Sequence, residues 1–168
     1  DGYSRDASKV YLGEWAAHDR EGRSTLRAAI AEAAYYTSME RNGDIVSMTS
    51  YAPLLARRGN THWSPNLVYF TNTEVLPTIS YQVQKLLGNN AGDTYLETKV
   101  SGIEGRFSAS TVKDSKTGDT VLKLVNGQKD SRLLRIELKG WTEIMPSAVK
   151  TVLSGSDPDK VNSGRVGE

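Results

Sequence analysis

Glu14 is the sharpest candidate for chemistry in this sequence. It follows the short β-prone run Val10-Tyr11-Leu12 and Gly13. In β/α architectures, functional side chains project from the C-terminal ends of strands. A carboxylate placed there suits glycoside hydrolysis, as nucleophile or as acid/base. The alternative is a surface glutamate that opens a loop. Trp15, His18, His62 and Trp63 could form a sugar-facing rim beside it. Aromatic faces stack on sugar C–H surfaces, and an imidazole hydrogen-bonds hydroxyls. Each has a plainer alternative. Trp15 suits packing between strand and helix, which is the favoured reading for it. His18 lies in the charged loop His18 to Arg23 and suits simple solvation. His62 and Trp63 share a long loop, the kind of segment that often carries function. Arg57-Arg58 could contact an anion or form a solvated pair.

The rest of the composition narrows the chemistry. There is no cysteine, which excludes a disulfide scaffold, thiolate zinc sites, Fe–S clusters and a Cys nucleophile. Only two histidines are present, and no carboxylate stands at a recognised ligand spacing to either. Neither a metal nor a cofactor is expected. Gly102-Ile103-Glu104-Gly105 precedes a strand pattern rather than a helix, so phosphate-loop and dinucleotide fingerprints fail. There is no G-x-S-x-G elbow. Lys+Arg 21 against Asp+Glu 20 gives net +1, so a nucleic-acid partner is not expected. No apolar run approaches the roughly 20 residues of a membrane span, so a membrane partner is not expected either. The 168 residues, 38% of them hydrophobic, suffice for a core.

Candidate site residues need elements to position them. Ser24 can cap a helix with its body over Thr25–Arg41, and Leu26, Ala29, Ile30, Ala33 and Thr37 give it one buried stripe. Glu32 and Glu40 fall on this helix as scaffold. Asn42-Gly43 supplies a stop in which glycine adopts the left-handed conformation. Asp44–Met48 reads as a second buried strand, and Pro53 argues against further pairing. Residues 54–66 read as a loop, Leu67–Phe70 as a short apolar segment, and Thr78 or Ser80 as the start of a helix through Leu87 that Gly88 ends. Beyond Asn89–Asp93 the period becomes two. Arg106–Val112 places Phe107, Ala109 and Thr111 on one face. Thr120–Val125 is another strand, and Arg132–Lys139 places Leu134, Ile136 and Leu138 on one face. Such strands point to an antiparallel sandwich. The expected class is therefore α/β followed by all-β. About 90 residues of β/α pattern fall far short of the roughly 250 of a complete (β/α)8 barrel, so the first half reads as the end of something larger.

Several long collinear blocks resemble one family. Val10-Tyr-Leu-Gly-Glu-Trp-Ala-Ala resembles the nucleophile segment of family 51 α-L-arabinofuranosidases. Leu26–Asn42 (LRAAIAEAAYYTSMERN) is similar to that family's next helix, and Asp44–Ala56 (DIVSMTSYAPLLA) to its final barrel strand. His62–Asp93 continues the match. The later segments VLKLVNG and VLSGSDPDKVNS resemble the C-terminal domain more loosely. The resemblance implies a (β/α)8 catalytic barrel joined to a jelly-roll β-sandwich. It implies residues 1–92 as the last two β/α units of the barrel and residues 93–168 as the sandwich. It further implies release of terminal α-L-arabinofuranosyl groups with retained configuration, through a covalent glycosyl-enzyme intermediate on Glu14. The family's acid/base glutamate sits in an Asn-Glu dipeptide, which this chain lacks. Many relatives have glutamine where this chain has His62, and the position of His18 is aromatic in some members.

The expected partners are thus arabinofuranosyl-containing glycans and the remainder of the barrel or another chain, with a homo-oligomer as one outcome. The reading leans to an extracellular or periplasmic location. A second reading, of another class, is a non-catalytic sandwich module that binds carbohydrate or packs on a barrel. Only Tyr95, Phe107 and Trp141 are aromatic in that half, which disfavours a dedicated sugar-binding face. Two β/α units would leave Val10, Leu12, Ile45, Val46 and Met48 short of partners. The 168-residue chain in isolation is therefore expected to associate or aggregate. Sedimentation as a stable, soluble monomer would count against it.

Overall fold

The computed structural model describes residues 2–162. Asp1 and residues 163–168, which the expected domain spans include, lie outside the described residues. Strand β1 (Val10–Trp15) and strand β2 (Val46–Tyr51) pair in parallel, with Leu12 opposite Thr49 and Trp15 opposite Tyr51. Parallel neighbours need a long crossover. Helix α1 (Leu26–Arg41) supplies it.

Helix α1 forms because its sequence is alanine-rich and properly capped. The cap is Thr25, not the expected Ser24. The Thr25 side chain accepts from the Ala28 amide at 3.3 Å. The Ser24 hydroxyl instead lies 2.7 Å from the Ser80 hydroxyl. The stop also differs from expectation. Asn42 is the C-cap at φ −115°, and Gly43 is not among the positive-φ glycines. What Gly43 provides is room, because a Cβ there would stand 3.2 Å from the Glu40 carbonyl oxygen. The Gly43 amide donates to that oxygen at 3.1 Å.

The first turn of a helix leaves amides without intrahelical partners. In α1 each of them is accounted for. Leu26 N–H donates to the Lys160 carbonyl at 3.0 Å and Arg27 N–H to the Pro158 carbonyl at 2.8 Å. Ala28 uses the Thr25 side chain, and Ala29 N–H reaches the Thr25 carbonyl at 2.9 Å. The irregular C-terminal segment therefore folds back to cap α1. The Arg27–Asp159 ion pair at 3.0 Å and the Asn162 amide on the Pro77 carbonyl at 3.0 Å fasten it.

The segment read as a loop over 54–66 contains strand β3 (Leu55–Arg57). Strand β3 pairs in parallel with β4 (Val68–Phe70), which pairs antiparallel with β5 (Val75–Pro77). Three-residue strands are too short to show a period, so the pattern missed them. Helix α2 (Ile79–Gly88) starts at the N-cap Thr78, which also donates to the Leu67 carbonyl at 2.7 Å. Leu26 and Ala29 of α1 and Ile79, Val83 and Leu87 of α2 form one buried cluster.

The third sheet has the order β6 (Thr94–Leu96), β7 (Phe107–Lys113), β8 (Thr120–Asn126), all antiparallel. Phe107, Ala109 and Thr111 share a face, as the alternation requires. The face fastened to α1 is the opposite one. There Ser110 and Lys123, cross-strand partners, both bond Glu40 at 2.5 Å, one carboxylate oxygen each. The Lys123 ammonium also lies 5.9 Å from the centre of the Tyr36 ring. Arg41 donates to the Ala109 carbonyl at 2.8 Å.

Two expectations fail here. Arg132–Lys139 is not a strand, and Ile136 and Leu138 are exposed. Alternation produces a strand only where a free edge pairs with it, and no described residue does so. The described residues consequently form one three-stranded sheet beyond residue 93, not two facing sheets. Of the five residues expected to lack partners, Ile45, just before β2, is buried. Val10, Leu12 and Val46 are half-buried, and Met48 is exposed.

Removing one partner of a buried ion pair strands the other charge. Lys123→Ala is expected to lower unfolding free energy by about 3 kcal/mol. The double variant E40Q/K123M, which leaves no unpaired charge, should lose clearly less. Urea unfolding of both variants checks this, and equal losses would contradict it.

Candidate active site

Glu14 is the penultimate residue of β1, and its side chain is exposed. Among the described residues its carboxylate has no hydrogen bond or ion pair. It is therefore free to meet a ligand. Trp15 next to it turns the other way. Its ring packs edge-on between Tyr35 of α1 (5.5 Å, 66°) and Tyr51 of β2 (5.7 Å, 64°). Its indole nitrogen is buried without a partner. Trp15 thus joins strand to helix.

The other expected residues sit on two loops. His18 is exposed, with Nδ1 2.7 Å from the Asp19 carbonyl oxygen. Asp19 builds that loop by accepting from the amides of Glu21 (2.9 Å) and Arg23 (2.8 Å) and from the Arg23 guanidinium (2.7 Å). The bond from the Arg23 amide is the main reason its carboxyl titrates below the ordinary range. His62 and Trp63 are exposed on the second loop. Buried Asn66 supports them by donating to the Trp63 carbonyl at 2.6 Å. Ser64 donates to the Gly22 carbonyl at 2.6 Å and so ties the two loops together.

Glu32, read from the sequence as helix scaffold, reaches the ends of both parallel strands. It lies on α1 at 1% exposure. Its Oε1 accepts from the Ala17 amide and from the Tyr51 hydroxyl, both at 3.0 Å. Its Oε2 has no partner. Desolvation raises the Glu32 pKa, and the bonds from the Ala17 amide and the Tyr51 hydroxyl oppose that rise. Burial, then the neighbouring Glu32 carboxylate, pushes the Tyr51 phenol well above its usual range, so it remains a donor. One signal was available in the sequence, a lone carboxylate among the apolar residues of Ala28–Ala34.

A family model described as the α-L-arabinofuranosidase C-terminal domain matches residues 13–166. The chain belongs to that family. Among curated relatives, an extracellular exo-α-L-arabinofuranosidase of Streptomyces chartreusis is 42% identical over 101 residues, covering 60% of this chain and 12% of the relative. A probable α-L-arabinofuranosidase A of Aspergillus flavus is 34% identical over 164 residues, covering 95% of this chain and 25% of the relative. An arabinose-bound α-L-arabinofuranosidase of glycoside hydrolase family 51 superposes with TM-score 0.70 at 31% identity, over 78% of this chain and 23% of that one. The α-L-arabinofuranosidase C-terminal chain described here therefore spans a quarter or less of the length of these relatives.

The raised Glu32 value has a direct consequence. Protonated Glu32 favours the folded chain fully below the ordinary glutamate value of 4.5, and this contribution is lost as pH rises through the folded-state value. Glu32→Gln removes the titration. The stability of the wild type relative to this variant should therefore fall as pH climbs from 4 to 7. Urea midpoints across that range test it, and a flat difference would refute it.

Proposed function

We propose that this chain is the C-terminal part of a retaining α-L-arabinofuranosidase and that Glu14 is its nucleophile. The observation that carries this reading is the exposed, unpaired Glu14 carboxylate at the C-terminal end of a parallel strand, in a chain of the α-L-arabinofuranosidase C-terminal family. That strand end is where β/α enzymes present reacting groups. On this reading β1, α1, β2 and α2 belong to the last two units of a (β/α)8 barrel spanning residues 1–92. Residues 93–168 belong to a jelly-roll sandwich completed by the rest of the parent protein.

The chemistry needs two carboxyl groups about 5–5.5 Å apart. The Glu14 carboxylate attacks the anomeric carbon of a terminal α-L-arabinofuranosyl group. The bond to the leaving oxygen breaks, and that oxygen takes a proton from the acid/base glutamate of the parent protein. Water, deprotonated by the same acid/base residue, then displaces Glu14 and releases arabinose with its configuration retained. His18, His62 and Trp63 stand on the tethered loops, where their ring nitrogens and indole face suit sugar hydroxyls and C–H surfaces. Trp15 contributes by packing beneath Glu14. This chain supplies one of the two carboxyl groups, so in isolation it lacks turnover. The substrates are arabinose-containing polysaccharides and oligosaccharides.

Glu14→Gln in the full-length protein should fold normally and lower kcat on an aryl α-L-arabinofuranoside by roughly a thousandfold or more. Hydrolysis near the wild-type rate by this variant would overturn the assignment.

A further inference from the structure

We propose that Glu32 is a positioning residue for the nucleophile, acting through the Ala17 amide and the Tyr51 hydroxyl. The inference rests on the role of Glu14 proposed above. Ala17 lies three residues past Glu14, just beyond β1, and it donates directly to Glu32 Oε1 at 3.0 Å. Tyr51 ends β2 and donates to the same oxygen at 3.0 Å. The Tyr51 ring in turn packs against Trp15, the residue after Glu14. One buried oxygen therefore fixes the chain on the C-terminal side of Glu14 in two ways, directly at Ala17 and through an aromatic contact at Trp15.

The placement argues for a purpose beyond packing. Burying a carboxyl is unfavourable unless its bonds are satisfied, and here Oε2 is not. A leucine or alanine would fill an alanine-rich helix face at lower cost. Glu32 is set apart by an acceptor that reaches the exits of two neighbouring strands at once. The register shift between Leu12 and Trp15 shows why such a tether is needed. The strand ladder is interrupted at Gly13 and Glu14, so regular pairing alone does not fix the nucleophile. Misplacement of a reacting group by about 1 Å can cost on the order of a hundredfold in rate.

The test compares E14Q, E32A, E32Q and Y51F in the full-length protein on an aryl α-L-arabinofuranoside, with kcat and KM expressed per folded enzyme. E32A removes both bonds and should lower kcat by about tenfold or more, with KM within about twofold. E32Q keeps an oxygen acceptor and should restore kcat to within about threefold of wild type. Y51F removes one bond and should fall between them. An E32A enzyme with wild-type kcat, or an E32Q enzyme as impaired as E32A, overturns the proposal. If E32A does not fold, E32Q and Y51F decide. An unimpaired Y51F, or an E32Q with kcat more than tenfold down, overturns it. The E14Q arm separates the two ideas. Turnover by E14Q defeats the nucleophile assignment, whereas an inactive E14Q beside a normal E32A defeats only the positioning role.

Discussion

A carboxyl group buried in a small protein must be bonded, and the bonds it finds decide what lies next to what. Glu32 has two donors within reach, and they come from the ends of β1 and β2. Helix α1 is therefore locked to the same end of the parallel pair from which Glu14 projects. The Tyr51 ring that donates to Glu32 packs edge-on against Trp15, which also meets Tyr35. The exposed Glu14 therefore precedes a segment held by both a hydrogen bond at Ala17 and ring packing at Trp15.

Helix α1 serves three surroundings with three faces. Leu26 and Ala29 meet α2, where small side chains allow close approach. Ala28 and Glu32 are buried toward the strand ends. Tyr36, Glu40 and Arg41 meet the three-stranded sheet through an ion pair, a hydroxyl and a carbonyl. The fastening of that last face is thus largely polar. Pro158 and Lys160 add a fourth contact by capping the helix start with their carbonyls.

The loops follow from these supports. The loop carrying His18 is shaped by Asp19, which satisfies three donors, and is tied to the loop of His62 and Trp63 by Ser64. The side chains of His18, His62 and Trp63 are thus exposed on loops whose backbones are held by hydrogen bonds.

The sequence by itself determined the β1–α1–β2 succession, the two helices and the position of Glu14 at a strand end. These are local matters of propensity, capping and short-range period. It also carried the family, because long collinear blocks survive without any knowledge of contacts. Only the tertiary structure decided the role of Glu32, since a helical glutamate is scaffold or anchor depending on which donors arrive from residues 15 and 19 positions away. The inward packing of Trp15 favoured from the sequence found its partners in Tyr35 and Tyr51, and the Ser110–Lys123 face of β7 and β8 became the docked one because Glu40 met both residues. Arg132–Lys139 has the alternation of a strand and is not one, because pairing depends on a neighbouring edge that no local pattern contains.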